Sequence, residues 1–176
     1  MKTIYTFCLL CLLLVSCQSE PSLQKYFVEN TENNDFLIMD LSPTILNVDK
    51  AKLSVDESAA LKSFDKMNIL AFKLTDKNKN QFVAQRAKVN AILKDEKYQQ
   101  LMKFESGKEG ASVSYVGDDD HIEEFVFYAN KKDAGFAVIR VIGKDMNPTA
   151  IMTMLQVLKK SNIDMEQLKP LQQLMK

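Results

Sequence analysis

The chain has 176 residues, its 23 Lys and Arg balance 23 Asp and Glu, and it carries one His, three Cys and no Trp. A formally neutral chain lacks the basic footprint that bulk nucleic-acid binding needs, so no nucleic-acid partner is expected. The length fits one domain after a short leader, and a domain of this size buries enough surface to fold without disulfide or metal staples.

The first element is apolar. After Lys2, a run from Ile4 to Val15 ends at polar Gln18-Ser19-Glu20-Pro21. Such a run matches a secretory leader core of about 7–15 residues and falls short of the about 20 that a spanning helix needs. Its end, Leu14-Val15-Ser16-Cys17, resembles a bacterial lipobox, the Leu-x-small-Cys pattern at which lipoprotein signal peptides are cut. The resemblance implies cleavage between Ser16 and Cys17, a covalent lipid on the Cys17 sulfur and a second acylation, with palmitate as a typical chain, on the freed amine. Two or more chains anchor stably where one holds marginally, at about 0.8 kcal/mol per buried CH₂. An ordinary signal peptide ending in a chance cysteine and an uncleaved N-terminal anchor are the plainer alternatives. The expected division is residues 1–16 as signal peptide, 17–22 as lipidated cysteine and tether, and 23–176 as a single α+β domain. Cys8, Cys11 and Cys17 all fall in the leader or at its end. The folded domain therefore has no thiol for a disulfide, a zinc site or a nucleophile.

Leu23 to Glu29 reads as a short helix with Leu23, Tyr26 and Phe27 on one face, and the polar stretch from Asn30 to Asp35 as a turn. Phe36 to Leu41 has strand length and stops at Ser42-Pro43; Thr44 to Val55 is ambiguous. Ser54 or Asp56 caps a helix over about 55–66 with Ala60, Leu61, Phe64 and Met67 inward. Asn68 to Thr75 is a second strand, and a helix follows from Gln81 to about Asp95 with Phe82, Val89, Ile92 and Leu93 on its stripe. A further helical segment is expected over Tyr98 to Phe104, with Leu101 and Met102 inward, ended by Gly107 and Gly110.

The period then changes. Ala111 to Val116, Ile122 to Ala129 and Gly135 to Gly143 are three strands joined by short polar turns, the spacing of an antiparallel meander. Phe125 and Phe127 share one side of the middle strand; Ile122, Val126 and Tyr128 take the other. Pro148 opens another helix with Ile151, Met154, Leu155 and Leu158 inward, and a last amphipathic segment carries Met165, Leu168, Leu171 and Met175 around Pro170. The order reads as an α+β fold, a mostly antiparallel sheet with helices packed on it.

Tyr98-Gln-Gln-Leu-Met102, a glycine break, Val113 to Tyr115, Ile122-Glu-Glu-Phe-Val126 and Phe136 to Gly143 together resemble the DUF4252 family. Its members are small Bacteroidetes envelope proteins, commonly lipoproteins, of unknown function. The resemblance runs from about Phe36 to Leu158. It implies an envelope location and agrees with the lipobox, and it carries no activity or site residue. Surface-directed lipoproteins of such bacteria often carry an acidic cluster after the cysteine. Here Glu20 stands alone, which points to an outer-membrane protein facing the periplasm.

Few residues offer chemistry. The turn Asp118-Asp119-Asp120-His121 holds the single histidine, and Asp118, Asp120 and His121 are the candidate metal ligands. Against them, a site needs three or more convergent ligands with supporting contacts, and Asp-rich turns arise for backbone reasons. Asp76-x-Asn78-x-Asn80 resembles the start of a calcium loop but has Gln81 and Ala87 where glycine and a bidentate Glu belong. Glu123 and Glu124 are strand neighbours facing opposite ways, so they cannot act as an acid/base pair on one substrate. Arg140 reads as a strand-edge or sheet-face arginine with its stem packed on neighbours, or as an anion-binding fork. Met152 falls off the last helix's core stripe, and its exposure together with Met175 would suggest a partner surface. No Gly-x-Ser-x-Gly elbow, phosphate loop or dinucleotide fingerprint occurs.

The expectation is a non-catalytic, lipid-anchored envelope protein with no cofactor beyond the lipid on Cys17. It would contact the membrane through that lipid and bind an envelope protein partner on the periplasmic side of the outer membrane. The alternative is a lipoprotein on the cell surface that binds a small ligand or a metal.

Overall fold

The computed structural model describes residues 20–160 except 47, 48, 50, 51 and 120. Ser16, Cys17 and the segment from Met165 to Met175 lie outside the described residues. The strands are β1 (Phe36–Leu41), β2 (Phe64–Lys73), β3 (Gln99–Ser106), β4 (Glu109–Asp118), β5 (His121–Lys131) and β6 (Gly135–Met146). They form one antiparallel sheet in the order β1-β2-β6-β5-β4-β3. The helices are α1 (Leu23–Glu29), α2 (Val55–Ser63), α3 (Lys79–Ile92) and α4 (Pro148–Lys160), and one 3-10 turn spans Pro43–Leu46. The fold is α+β, with the expected meander at β4, β5 and β6 and a fourth strand, β3, added to it.

Alternation along the strands sends large side chains to both faces, so each face needs its own cover. On the first face, Leu70, Phe72, Val126, Phe136 and Val138 pack under α1 (Leu23, Tyr26, Phe27) and α3 (Phe82, Val89, Ile92). Phe72 and Phe136 stack there, with ring centroids 5.5 Å apart and planes 3° from parallel. On the second face, Leu41, Ile69, Phe125 and Val141 pack under Ala60 of α2 and Met154 and Val157 of α4.

Local signals explain the boundaries. Ser54 caps α2 in a reciprocal box: its Oγ accepts from the Glu57 backbone N–H, and Glu57 Oε2 accepts from the Ser54 N–H. The helix stops at Ser63, three residues sooner than its apolar stripe suggests, because Phe64 and Met67 pair with β6 instead. That junction is tight: a Cβ on Gly143 would lie 1.9 Å from the Ser63 carbonyl oxygen, so only glycine admits the approach.

Two expectations are corrected. The segment Tyr98 to Phe104 is not helical; residues 99–106 form β3, an edge strand exposed at every position. Leu101 and Met102, expected inward, are 49% and 63% exposed. Ile122 joins Phe125 and Phe127 on the second face rather than Val126 and Tyr128. The reason is a bulge: Gly117 pairs with Ile122 and Val116 with Glu124, so Glu123 is an extra residue that reverses the alternation.

Candidate functional site

The Asp-rich turn sits at the exposed end of the β4–β5 hairpin. Asp118 and His121 are cross-strand partners at its neck, and Asp120 lies outside the described residues. His121 Nδ1 lies 2.8 Å from Asp145 Oδ1, a carboxylate brought from the end of β6. Asp145 holds a left-handed backbone, with φ at 50°, which aspartate tolerates better than most residues. The Tyr115 hydroxyl lies 2.5 Å from Asp119 Oδ1 and 3.0 Å from Gln99 Oε1. The bond to Asp119 holds the phenol above its ordinary pKa. The turn is thus tied to the neighbouring strands, through Asp145 of β6 and Tyr115 of β4, and the bond from Tyr115 engages Asp119 rather than the proposed ligand Asp118. Among the described residues no three His, Cys, Asp or Glu side chains converge as metal ligands.

Arg140 is neither on an edge strand nor open to a ligand. It lies on β6, inside the sheet, and is 5% exposed. Its Nε and Nη2 donate to the two oxygens of Glu124 at 2.7 and 2.8 Å, and Nη1 donates to Gln24 Oε1 at 2.7 Å. Phe27 covers the guanidinium, 5.6 Å from the ring centroid. The fork is taken up by the protein, tying α1 to the sheet. Asn78 is likewise structural: it bonds Thr75, Lys73 and Asp35 and closes the turn before α3.

Two concavities among the described residues lie against the strands. On the second face, α2 and α4 cover only one end of the sheet. At the other end, Ala71, Ala137, Ala129 and Ala111 are successive cross-strand partners on β2, β6, β5 and β4, and Phe104 of β3 completes the row. Four methyls in line make the floor of an apolar trough of about 500 Å³, with Phe104 as its wall. Phe104 is 57% exposed, and Met102 beside it 63%. Met152 of α4 is 61% exposed, Met154 is buried, and Met175 lies outside the described residues.

On the first face, a polar cleft of about 800 Å³ opens between α3 and the strands β3 and β4. Arg86, Lys94, Lys108 and Lys132 line it, and none makes a salt bridge among the described residues. Its carboxylates are occupied, Glu105 by Lys103 at 2.9 Å and Glu109 by Lys131 at 3.1 Å. Tyr128 forms part of the wall, and its hydroxyl is buried with no hydrogen-bond partner among the described residues. Burial pushes its pKa up to about 12, partly opposed by Arg86. Neighbouring Tyr26 is pushed up by burial as well, and its hydroxyl donates to Gln85 Oε1 at 3.0 Å.

Neither concavity was found from sequence. The four alanines are far apart in the chain and line up only through strand register. Tyr128 reads as one more core aromatic until the partners of its hydroxyl are counted.

Residues 26–154 match a family model described as a domain of unknown function, DUF4252. No curated protein and no solved structure matches the chain.

Proposed function

The chain belongs to the DUF4252 family, and we propose that it is a non-catalytic, lipid-anchored cell-envelope domain that binds a protein partner on the periplasmic side of the outer membrane. The observation that supports partner binding is the alanine-floored trough with exposed Phe104 as its wall and exposed Met102 two residues further along the same strand. Contiguous apolar surface of this kind is costly to leave in water and marks interaction sites on soluble domains. A floor of methyl groups lets a partner's side chains approach the backbone closely, and a trough running across the strands suits the apolar ridge of a helix. Support for the anchor is the lipobox at Leu14 to Cys17. A tether from Cys17 to Leu23 reaches at most about 20 Å, which keeps α1 close to the bilayer.

A photo-crosslinking side chain placed at Ala111 should capture a discrete protein in intact cells, and Ala129→Arg should abolish the adduct. Capture no better than from Val55, which is exposed on α2 away from the trough, would defeat the partner reading. Cys17→Ala should release the protein from the membrane fraction; retention would defeat the anchor separately.

A second reading, a surface-exposed lipoprotein that binds a small ligand, is favoured by the cationic cleft and by the Tyr128 hydroxyl, which has no hydrogen-bond partner among the described residues. Its ligand would be a small anion. Inorganic phosphate or citrate should then raise the melting temperature of the wild type and not of Arg86→Ala. The metal form of this reading keeps Asp118, Asp120 and His121. Calorimetry with zinc and calcium tests it, and binding unchanged by His121→Ala would remove it.

A further inference from the structure

The sheet has two edges, and they differ. Residues of β1 are mostly half-buried, whereas all eight residues of β3 are exposed. An exposed edge presents unpaired backbone groups to any other strand, and proteins commonly guard such edges with a lysine. Here Lys103 occupies the middle of β3, but Glu105 on the same face lies 2.9 Å from it and cancels its charge. The guard is thereby turned into one half of a complementary pair.

A second copy can pair with this edge about a twofold axis normal to the sheet. Opposed residues must then share a face, which limits the register. An axis at Lys103 sets Lys103 against its own copy and Leu101 against Glu105, both unfavourable. An axis at Phe104 sets Lys103 against Glu105 of the second copy, twice by symmetry. On the other face it sets Phe104 against Phe104 and Met102 against Ser106. Both charged pairs are satisfied and the most exposed aromatic of the strand is covered.

We propose that β3 is the interface of a homodimer in which two copies pair antiparallel with the axis at Phe104. The two sheets become one sheet of about twelve strands. Because Phe104 ends the alanine row, the row continues through the axis into the second copy, and the two troughs lie end to end on either side of the paired phenylalanines. The inference stands apart from the partner reading, since it concerns the strand edge and holds whether or not another protein lies in the trough.

The test uses the full chain in cells. Phe104→Cys should form a reducible dimer under mild oxidation, well above the level given by Lys88→Cys on α3. Adding Lys103→Glu or Glu105→Lys to Phe104→Cys should each lower the cross-linked fraction severalfold, because each sets like charges opposite one another. Co-expressing those two variants with different tags should restore cross-linking between the tags, since the one supplies only acids and the other only bases. Thermal melts of each variant confirm that the fold survives. Cross-linking of Phe104→Cys no better than that of Lys88→Cys would overturn the proposal. So would failure of the mixed pair to recover.

Discussion

Tyr128 and Arg140 lie on the same face of the sheet and show opposite solutions to burying a polar group. The Tyr128 hydroxyl has no partner among the described residues, and such a group costs about 1–3 kcal/mol in lost solvation. Tyr128→Phe keeps the ring and removes that cost, so urea unfolding at pH 7 should show a gain of about 1 kcal/mol. The variant should also change the alkaline limb. A phenol whose pKa rises from 10.0 to about 12 on folding is protonated in both states below pH 10, so its contribution is fully present there. Between pH 10 and 12 the unfolded chain loses its proton first, and stability falls as pH rises. The Phe variant should fall less steeply over that range. Arg140 is instead bonded through each of its three guanidinium nitrogens, and removing it leaves the Glu124 carboxylate, 13% exposed, without that partner. Arg140→Ala should cost about 3–5 kcal/mol, while the double change Arg140→Met with Glu124→Leu should cost clearly less, because no charge is left alone. Sequence showed that Arg140 sits in an apolar strand. It could not show that Glu124, 16 residues away, and Gln24, 116 away, close around it.

At the scale of elements, the features that fold by local rules were legible. The capping box at Ser54 and Glu57 starts α2, and Ser54→Ala should cost about 1 kcal/mol in thermal or urea unfolding, with Ser54→Asp recovering most of it. Strands β1, β2, β4, β5 and β6 carry β-branched and aromatic runs that announce themselves. β3 does not. Gln99-Gln-Leu-Met-Lys-Phe-Glu-Ser106 is composed mainly of good helix formers, and its preference is overridden by the ladder to β4. The available clue was the turn: Gly107 at a φ of 55°, with Lys108, makes a two-residue connection between Ser106 and Glu109. A glycine read as the end of a helix was the tip of a hairpin. The bulge at Glu123 was equally hidden, because it depends on how β4 and β5 slide past one another.

For the whole molecule, the design follows from one sheet shared by two cores. Strands β2, β5 and β6 contribute to both the α1–α3 face and the α2–α4 face, so neither core can open without the other losing its floor. Local stability should therefore be greatest in those strands and fall toward β3, which has a neighbour on one side and no helix cover. Amide hydrogen exchange on dilute protein should follow that order: slowest in β6 and β2, intermediate in β4, fastest in β3. Raising the protein concentration separates the monomer from the proposed dimer. In the monomer β3 stays fast at every concentration. In the dimer the outward amides around Phe104 gain partners, so their exchange slows with concentration while that of β1, at the other edge, does not change. Concentration-dependent protection confined to β3 would show that this edge is where two copies meet, and uniform exchange across the range would show that it stays open to solvent.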